Sequence, residues 1–346
     1  MKIVLTGGGT LGSVTPLIAW WQELAAAEPD LQTKFIGTIA GPEKELIKYY
    51  KLPYFGILAG KFRRYLSWRN LLSPLEILLG FIEAFFYLAK FRPDVALGAG
   101  SYVCLPALLA AKLLGAKVII HQLDIKPTLT NRLLTLIADR ITVTFPESLK
   151  NFPAFKTRLI GGLVRQEVKI AKRKYTADDA KQKLVVMGGG TGALDLNKLL
   201  VEAKKFLPHN LEIYHLVGKG KQITSPSNFY HPHELEFTNH YDFLAAADLV
   251  VSRAGLASLL ELSYLAKPTI VIPLPFTQQE DNARYFCANN SAVYLEEKKL
   301  TPSNFAEKIL ALLDNKEKLK ILSKGIAEKV NFVDSALAVS LVKEIL

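Results

Sequence analysis

The 346-residue chain reads as an α/β protein made of two doubly wound parallel-sheet domains. Three observations carry this. Short apolar runs alternate with amphipathic stretches along the whole chain. The runs are apolar throughout, the pattern of strands covered on both faces. The series also starts twice: residues 1–12 and 183–193 each read as strand, glycine cluster, helix.

In chain order, strands are expected at 2–6 (KIVLT), 34–38, 94–98, 117–121 and 141–145, then at 183–187 (KLVVM), 212–217, 235–237, 249–252, 269–273 and 293–296. Helices are expected between them at 16–28, 103–114, 126–138, 193–207, 256–266 and 301–314. The polar, basic stretch 165–183 reads as a linker or surface segment. Domains are therefore expected at 1–160 and 161–332, with a last helix at 333–346 able to pack back on the first.

With 50% apolar and 22% charged residues, the chain is neither disordered nor fibrous. Its two cysteines, Cys104 and Cys287, supply no disulfide framework and no four-cysteine zinc site. No secretory leader is read at the start, so a cytoplasmic protein is expected. The net charge is +11, and residues 1–160 hold 19 basic against 11 acidic side chains. That asymmetry points to an anionic partner for the first half: a membrane surface, nucleic acid or a phosphorylated substrate. No nucleic-acid motif is present, so nucleic acid is the least favoured of the three.

Residues 71–89 approach the length of a membrane span. Glu76, Gly80, Glu83, Tyr87 and Lys90 fall on one stripe of that helix. Such a stripe suits a helix lying on a bilayer or buried beside the sheet. Lys61, Arg63, Arg64, Arg69, Lys90 and Arg92, with Tyr65 and Trp68, flank it as in-plane membrane segments are flanked.

Three loops carry the candidate chemistry. Gly7-Gly8-Gly9-Thr10-Leu11-Gly12 follows the first strand, and Gly188-Gly189-Gly190-Thr191-Gly192-Ala193 follows the strand at 183–187. Glycines there permit close backbone approach, and a following helix start favours anions. A ligand-free turn fits the same residues. The next strand ends without a carboxylate in both cases, which argues against NAD. In the third loop Gly255 opens a helix, and Glu261, one to two turns on, can take ribose hydroxyls. Gln278, Gln279 and Asn282 follow the next strand as sugar-facing amides or as turn caps. The HPH at 231–233 reads as a loop before a strand, and Asp178-Asp179 as solvated linker.

Together these residues resemble the MurG family, peripheral-membrane enzymes that transfer N-acetylglucosamine from UDP-N-acetylglucosamine to lipid I, giving lipid II for peptidoglycan. The likeness runs in five blocks: Gly7 to Pro16, 98–121 with TNRLL at 130–134, GGLVR at 161–165, GGGTGALDLN at 188–197, and Arg253 to Ala283. It implies a GT-B architecture, two Rossmann-like domains with an interdomain cleft. It implies a UDP-sugar donor site using Thr10, Gly12, Arg165, Gly190, Thr191, Gly192, Glu261, Gln278, Gln279 and Asn282. It implies a lipid-linked acceptor at Gly9, Gly100 and Tyr102, with the acceptor pyrophosphate at the loops after Gly9 and Gly100. The apolar helix would face the cytoplasmic leaflet.

The departures fall on the chemistry. Ser13 stands where the family has histidine, Gln122 where it has glutamate and Asp124 where it has asparagine; Gln278 replaces a histidine. No metal pair of the DxD kind ends a strand, so neither metal nor cofactor is expected. Asp124 is the preferred general base, with His121 and Ser13 as alternatives, and a core role is open to His121. A transferase with another lipid-linked acceptor and a UDP-sugar-binding protein without catalysis are the competing readings.

Overall fold

The structure is a computed structural model, which describes residues 1–60, 69–174, 181–189, 193–218, 226–234, 240–333 and 335–346. The chain divides into two units, Met1–Arg165 with Phe332–Leu346, and Gln166–Asn331.

In the first unit the strands are β1 (Lys2–Thr6), β2 (Gln32–Thr38), β3 (Tyr54–Ile57), β4 (Val95–Gly98), β5 (Lys117–Gln122), β6 (Arg140–Val143) and β7 (Thr157–Leu159). The helices are α1 (Thr15–Ala27), α2 (Glu43–Tyr49), α3 (Arg69–Phe91), α4 (Cys104–Leu113) and α5 (Leu129–Leu134). Among the described residues the sheet is parallel, in the order β3-β2-β1-β4-β5-β6-β7. Strand order reverses between β1 and β4, so their carboxyl ends, Thr6 beside Gly98, open the crevice where doubly wound sheets bind ligands. Ile3, Val4 and Leu5 of β1 and Val118, Ile119 and Ile120 of β5 are fully buried, as strands covered on both faces require.

The second unit holds α6 (Gln166–Lys174), β8 (Lys183–Met187), α7 (Leu194–Ala203), β9 (Glu212–Leu216), β10 (Tyr230–His233), α8 (His240–Ala246), β11 (Leu249–Ser252), α9 (Leu256–Tyr264), β12 (Thr269–Val271), α10 (Gln279–Cys287), β13 (Val293–Tyr294), α11 (Pro302–Leu313) and α12 (Lys316–Ala327). Its parallel sheet runs β10-β9-β8-β11-β12-β13 among the described residues, with the switch between β8 and β11. The chain then returns to the first unit as α13 (Ser335–Lys343). Trp20 on α1 donates its indole N–H to the Ala338 carbonyl (2.8 Å), and Lys343 pairs with Glu28 (2.5 Å).

Both sheets are pinned by one device. An aspartate stands immediately before a strand and accepts the first or second amide of the neighbouring strand. Asp94 takes Lys2 N–H, Asp139 takes Val118 N–H and Asp248 takes Lys183 N–H, each at 2.7 Å. The acids hold the amino ends in register and leave the carboxyl ends to the loops.

Several local readings change. β3 and β7 are short strands with few buried apolar residues, and sequence pattern missed them. HPH is part of β10, paired to β9 with His231 opposite Tyr214 and His233 opposite Leu216. Part of the expected linker is α6, whose Val168 and Ala171 are buried. The strand expected at 235–237 and Asp178-Asp179 lie outside the described residues.

α3 is built inside out. Gly80, Glu83 and Tyr87 of its polar stripe turn toward the unit, while Lys90 stays exposed: Glu83 accepts the Leu58 N–H (2.7 Å), and Tyr87 stacks on Phe55 at 4.1 Å. Gly80 is needed because a β-carbon there would collide with the Leu58 carbonyl. Leu71, Leu75, Leu78, Ile82 and Phe86 face solvent, Leu78 at 53% and Phe86 at 65% exposure. Lys61, Arg63, Arg64, Tyr65 and Trp68, expected to flank this helix, lie outside the described residues.

Candidate active site

In the first unit the loops after β1 and β4 are tied together at the switch point. Ser101 donates its hydroxyl to the Gly8 carbonyl (2.7 Å). Gly9 lies in the left-handed region (φ 75°), and a side chain there would strike the Tyr102 ring. The Gly9 N–H does not point into the crevice; it donates to Glu43 on α2 (3.0 Å). Thr10 is exposed, and Gly12 and Ser13 sit half-buried in one helical turn, with the Ser13 hydroxyl 3.4 Å from the Thr10 carbonyl. Burial, with the nearby charges of Glu43 and Glu76, raises the Tyr102 hydroxyl above its ordinary value.

The end of β5 carries the altered motif. His121 is buried, with Nδ1 3.0 Å from the Thr142 hydroxyl and Nε2 3.3 Å from the Thr144 hydroxyl. Trp20 meets its ring edge-on at 5.9 Å. Burial pushes its pKa down to about 4. Both nitrogens thus have partners within the core, and this is the geometry of a packing histidine. Gln122 is also buried. Its amide nitrogen donates to the carbonyls of Asp124 (2.6 Å) and Lys126 (3.0 Å), and its oxygen accepts from Asn131 (2.8 Å). Asn131 also donates to the His121 carbonyl (3.1 Å), and Gly100 lies against it. Gln122 therefore shapes the turn that presents Asp124, which is half-buried. A glutamate could accept from Asn131 but, ionised, could not donate to either carbonyl.

In the second unit Glu261 lies on α9, behind the Gly255 start, and is buried. Its Oε1 accepts the Tyr241 hydroxyl of α8 (2.9 Å). Asn282 is buried and donates to the Ala254 carbonyl (3.2 Å), tying α10 to the loop after β11. Gln279 accepts the Leu274 N–H (3.0 Å) and so folds its own loop, while Gln278 is the N-cap residue of α10 and makes no side-chain cap hydrogen bond. Arg253 donates to the carbonyls of Ile272 (3.2 Å) and Pro273 (3.4 Å) and pairs with Glu297. Arg165, the last residue of the first unit before the crossing, is buried. Gly190, Thr191 and Gly192 lie outside the described residues. Among the described residues no group of three or more His, Cys, Asp or Glu could hold a metal ion.

The comparisons with known proteins match both units. The glycosyltransferase family 28 N-terminal domain matches residues 3–143, and the family 28 C-terminal domain matches residues 183–337. A Clostridium tetani protein named UDP-N-acetylglucosamine–N-acetylmuramyl-(pentapeptide) pyrophosphoryl-undecaprenol N-acetylglucosamine transferase is 34% identical over 328 residues, 92% of this chain and 91% of its own. The same-named protein of Geobacillus thermodenitrificans is 34% identical over 331 residues, 92% of each chain. The chain belongs to the MurG family. The crystal structure of Acinetobacter baumannii MurG superposes with a TM-score of 0.72 at 25% identity, covering 99% of both chains. A spinosyn rhamnosyltransferase solved with thymidine diphosphate shares the fold at a TM-score of 0.71 and 16% identity, covering 100% of both chains. The architecture is therefore GT-B.

Three residues at the site escaped sequence reasoning: Glu43, Asn131 as a partner of Gln122, and Tyr241. Each sits on a different element from the group it holds: Glu43 on α2 and Gly9 after β1, Asn131 on α5 and Gln122 on β5, Tyr241 on α8 and Glu261 on α9. Glu43 reads locally as an acid in the first turn of a helix, which is its commonest role.

Proposed function

We propose that this protein is an inverting glycosyltransferase that moves N-acetylglucosamine from UDP-N-acetylglucosamine to undecaprenyl-pyrophosphoryl-MurNAc-pentapeptide, lipid I, to give lipid II. The observation that carries this reading is the family match through both units, over 92% of the chain, to proteins named for that reaction. The second unit takes the donor. Glu261, oriented by Tyr241, receives the ribose hydroxyls; Gln279 and Asn282 serve the sugar. The loop at 190–192 balances the charge of the leaving diphosphate. Asp124 accepts the proton of the attacking hydroxyl; it is preferred to His121, whose nitrogens are engaged in the core, and to Ser13, which is too weak a base alone.

The first unit takes the lipid-linked acceptor. The outward apolar face of α3 and the basic excess of residues 1–160 support peripheral binding to the anionic cytoplasmic face of the cell membrane. That helix is long and apolar enough to cross a membrane by length and composition. Its polar stripe is engaged with its own unit, which favours lying on the surface instead.

The test is purified protein with a panel of UDP-sugars and lipid I in detergent, read by UDP release and product mass. N-acetylglucosamine added to lipid I is the expected product. Transfer only to another lipid acceptor, or UDP binding without turnover, overturns the reading.

A further inference from the structure

The loop that leads from β8 to α7 lacks the usual means of holding a helix start. Ala193 is the N-cap residue of α7, and alanine has no side-chain acceptor to cap it. Earlier in the loop Gly189 lies in the left-handed region (φ 81°), and nothing among the described residues stands within 4 Å of where its β-carbon would be. The start of α7 is held from one turn further in. Asn197 is fully buried, and its backbone N–H donates to the Ala193 carbonyl (2.9 Å). Its side-chain amide nitrogen donates to the Val217 carbonyl (3.0 Å), just after β9. A carbonyl can only accept, so the Asn197 side-chain oxygen faces the other way, toward His215 Nε2 at 3.0 Å.

His215 lies on β9 and is fully buried, which holds its pKa down to about 4 and keeps the ring neutral. Its single proton must sit on Nε2 to meet the Asn197 oxygen. Nδ1 therefore accepts, and the Tyr230 hydroxyl of β10 donates to it (2.8 Å). The bonds run one way, from Tyr230 to His215 to Asn197 to Val217, across β10, β9 and α7. Moving the ring proton to Nδ1 would set two acceptors face to face at Asn197, in a buried place where an unmet polar group is costly.

We propose that His215 is a positioning residue: through Asn197 it fixes the start of α7, and with it the end of the loop that receives the donor diphosphate. This rests on the donor role given to the second unit above. His215 acts through Asn197 from inside the core, without touching the substrate.

The test uses the full chain, with UDP as the probe and amide exchange as a readout that needs no ligand. His215→Phe keeps a ring but leaves the Asn197 oxygen buried without a donor. UDP should bind about tenfold more weakly, the worth of one buried hydrogen bond that binding must replace. The donor KM should rise with it while the acceptor KM holds. His215→Gln, whose amide nitrogen can stand in for Nε2, should recover most of that affinity. Tyr230→Phe releases the ring proton from Nε2 and should weaken UDP binding about threefold, a fraction of the same bond. Without UDP, exchange of the amides at 193–197 should quicken in His215→Phe and Tyr230→Phe and slow again in His215→Gln. A lower melting point with UDP affinity unchanged, an equal rise in both KM values, or unaltered exchange at 193–197 in Tyr230→Phe overturns the proposal. Tyr230→Phe removes only a hydroxyl, so it carries the test if His215→Phe does not fold. Unaltered protein that binds no UDP overturns the donor reading instead, and exchange at 193–197 still decides whether His215 holds α7.

Discussion

Restoring the family's glutamate at position 122 is expected to damage this protein. Gln122 is fully buried and makes three hydrogen bonds, two as donor to the Asp124 and Lys126 carbonyls and one as acceptor from Asn131. Gln122→Glu is isosteric, so no cavity opens. It keeps the Asn131 bond and turns two donated bonds into two carbonyls facing a carboxylate. Each orphaned carbonyl costs about 1–3 kcal/mol, so the pair costs roughly 2–6 kcal/mol, before the burial of charge. At about 2–4 °C per kcal/mol for a unit of this size, the melting transition of the first unit should drop by roughly 5–20 °C. The new carboxyl would have its folded pKa raised above its unfolded value. Its penalty is therefore full at neutral pH and shrinks as pH falls and the protonated acid regains one donor. The assay is thermal unfolding at pH 7 and pH 5, beside turnover of lipid I. An unchanged melting point with faster turnover would refute the reasoning and mark Gln122 as an impaired catalytic position.

Other outcomes follow from the same geometry. Asp124→Asn should lower kcat by about a hundredfold or more, the range for loss of a general base, with UDP affinity unchanged; intact turnover returns the base to Ser13 or His121. Leu78→Asp with Phe86→Asp should cut co-sedimentation with anionic vesicles more than tenfold, since each apolar side chain contributes roughly 1.5–3 kcal/mol on burial. The melting point should hold, because both positions are exposed, and undiminished vesicle binding removes α3 as the contact. His121 and His215 are each pushed by burial to about 4. The unfolded chain protonates them near their ordinary value of 6.5, so stability is present above that pH and is lost as pH falls toward 4. The loss is up to about 3 kcal/mol per histidine. Denaturant midpoints that stay level or rise on acidification from pH 7 to 4.5 contradict this.

Periodicity and composition alone determined the class of fold, the duplication of the strand–glycine–helix opening, and the positions of the buried strands. Continuous apolar runs such as Ile3–Leu5 and Leu184–Val186 have few alternatives to a covered parallel strand. β3 and β7 lacked such runs, and pairing to a neighbour, not their own residues, makes them strands. The stripe on α3 was legible, because residues seven apart share a helix face in any context. Its direction was not, because that depended on a free backbone amide at Leu58 needing an acceptor. His121 and Gln122 were legible as residue types at the end of a strand. Whether they titrate or pack was decided by Thr142, Thr144 and Asn131, brought beside them by strand pairing and by α5. Glu43 shows the same limit most plainly. Sequence records which groups can donate, accept or carry charge, whereas only the folded chain decides which of them are already satisfied by one another before a substrate arrives.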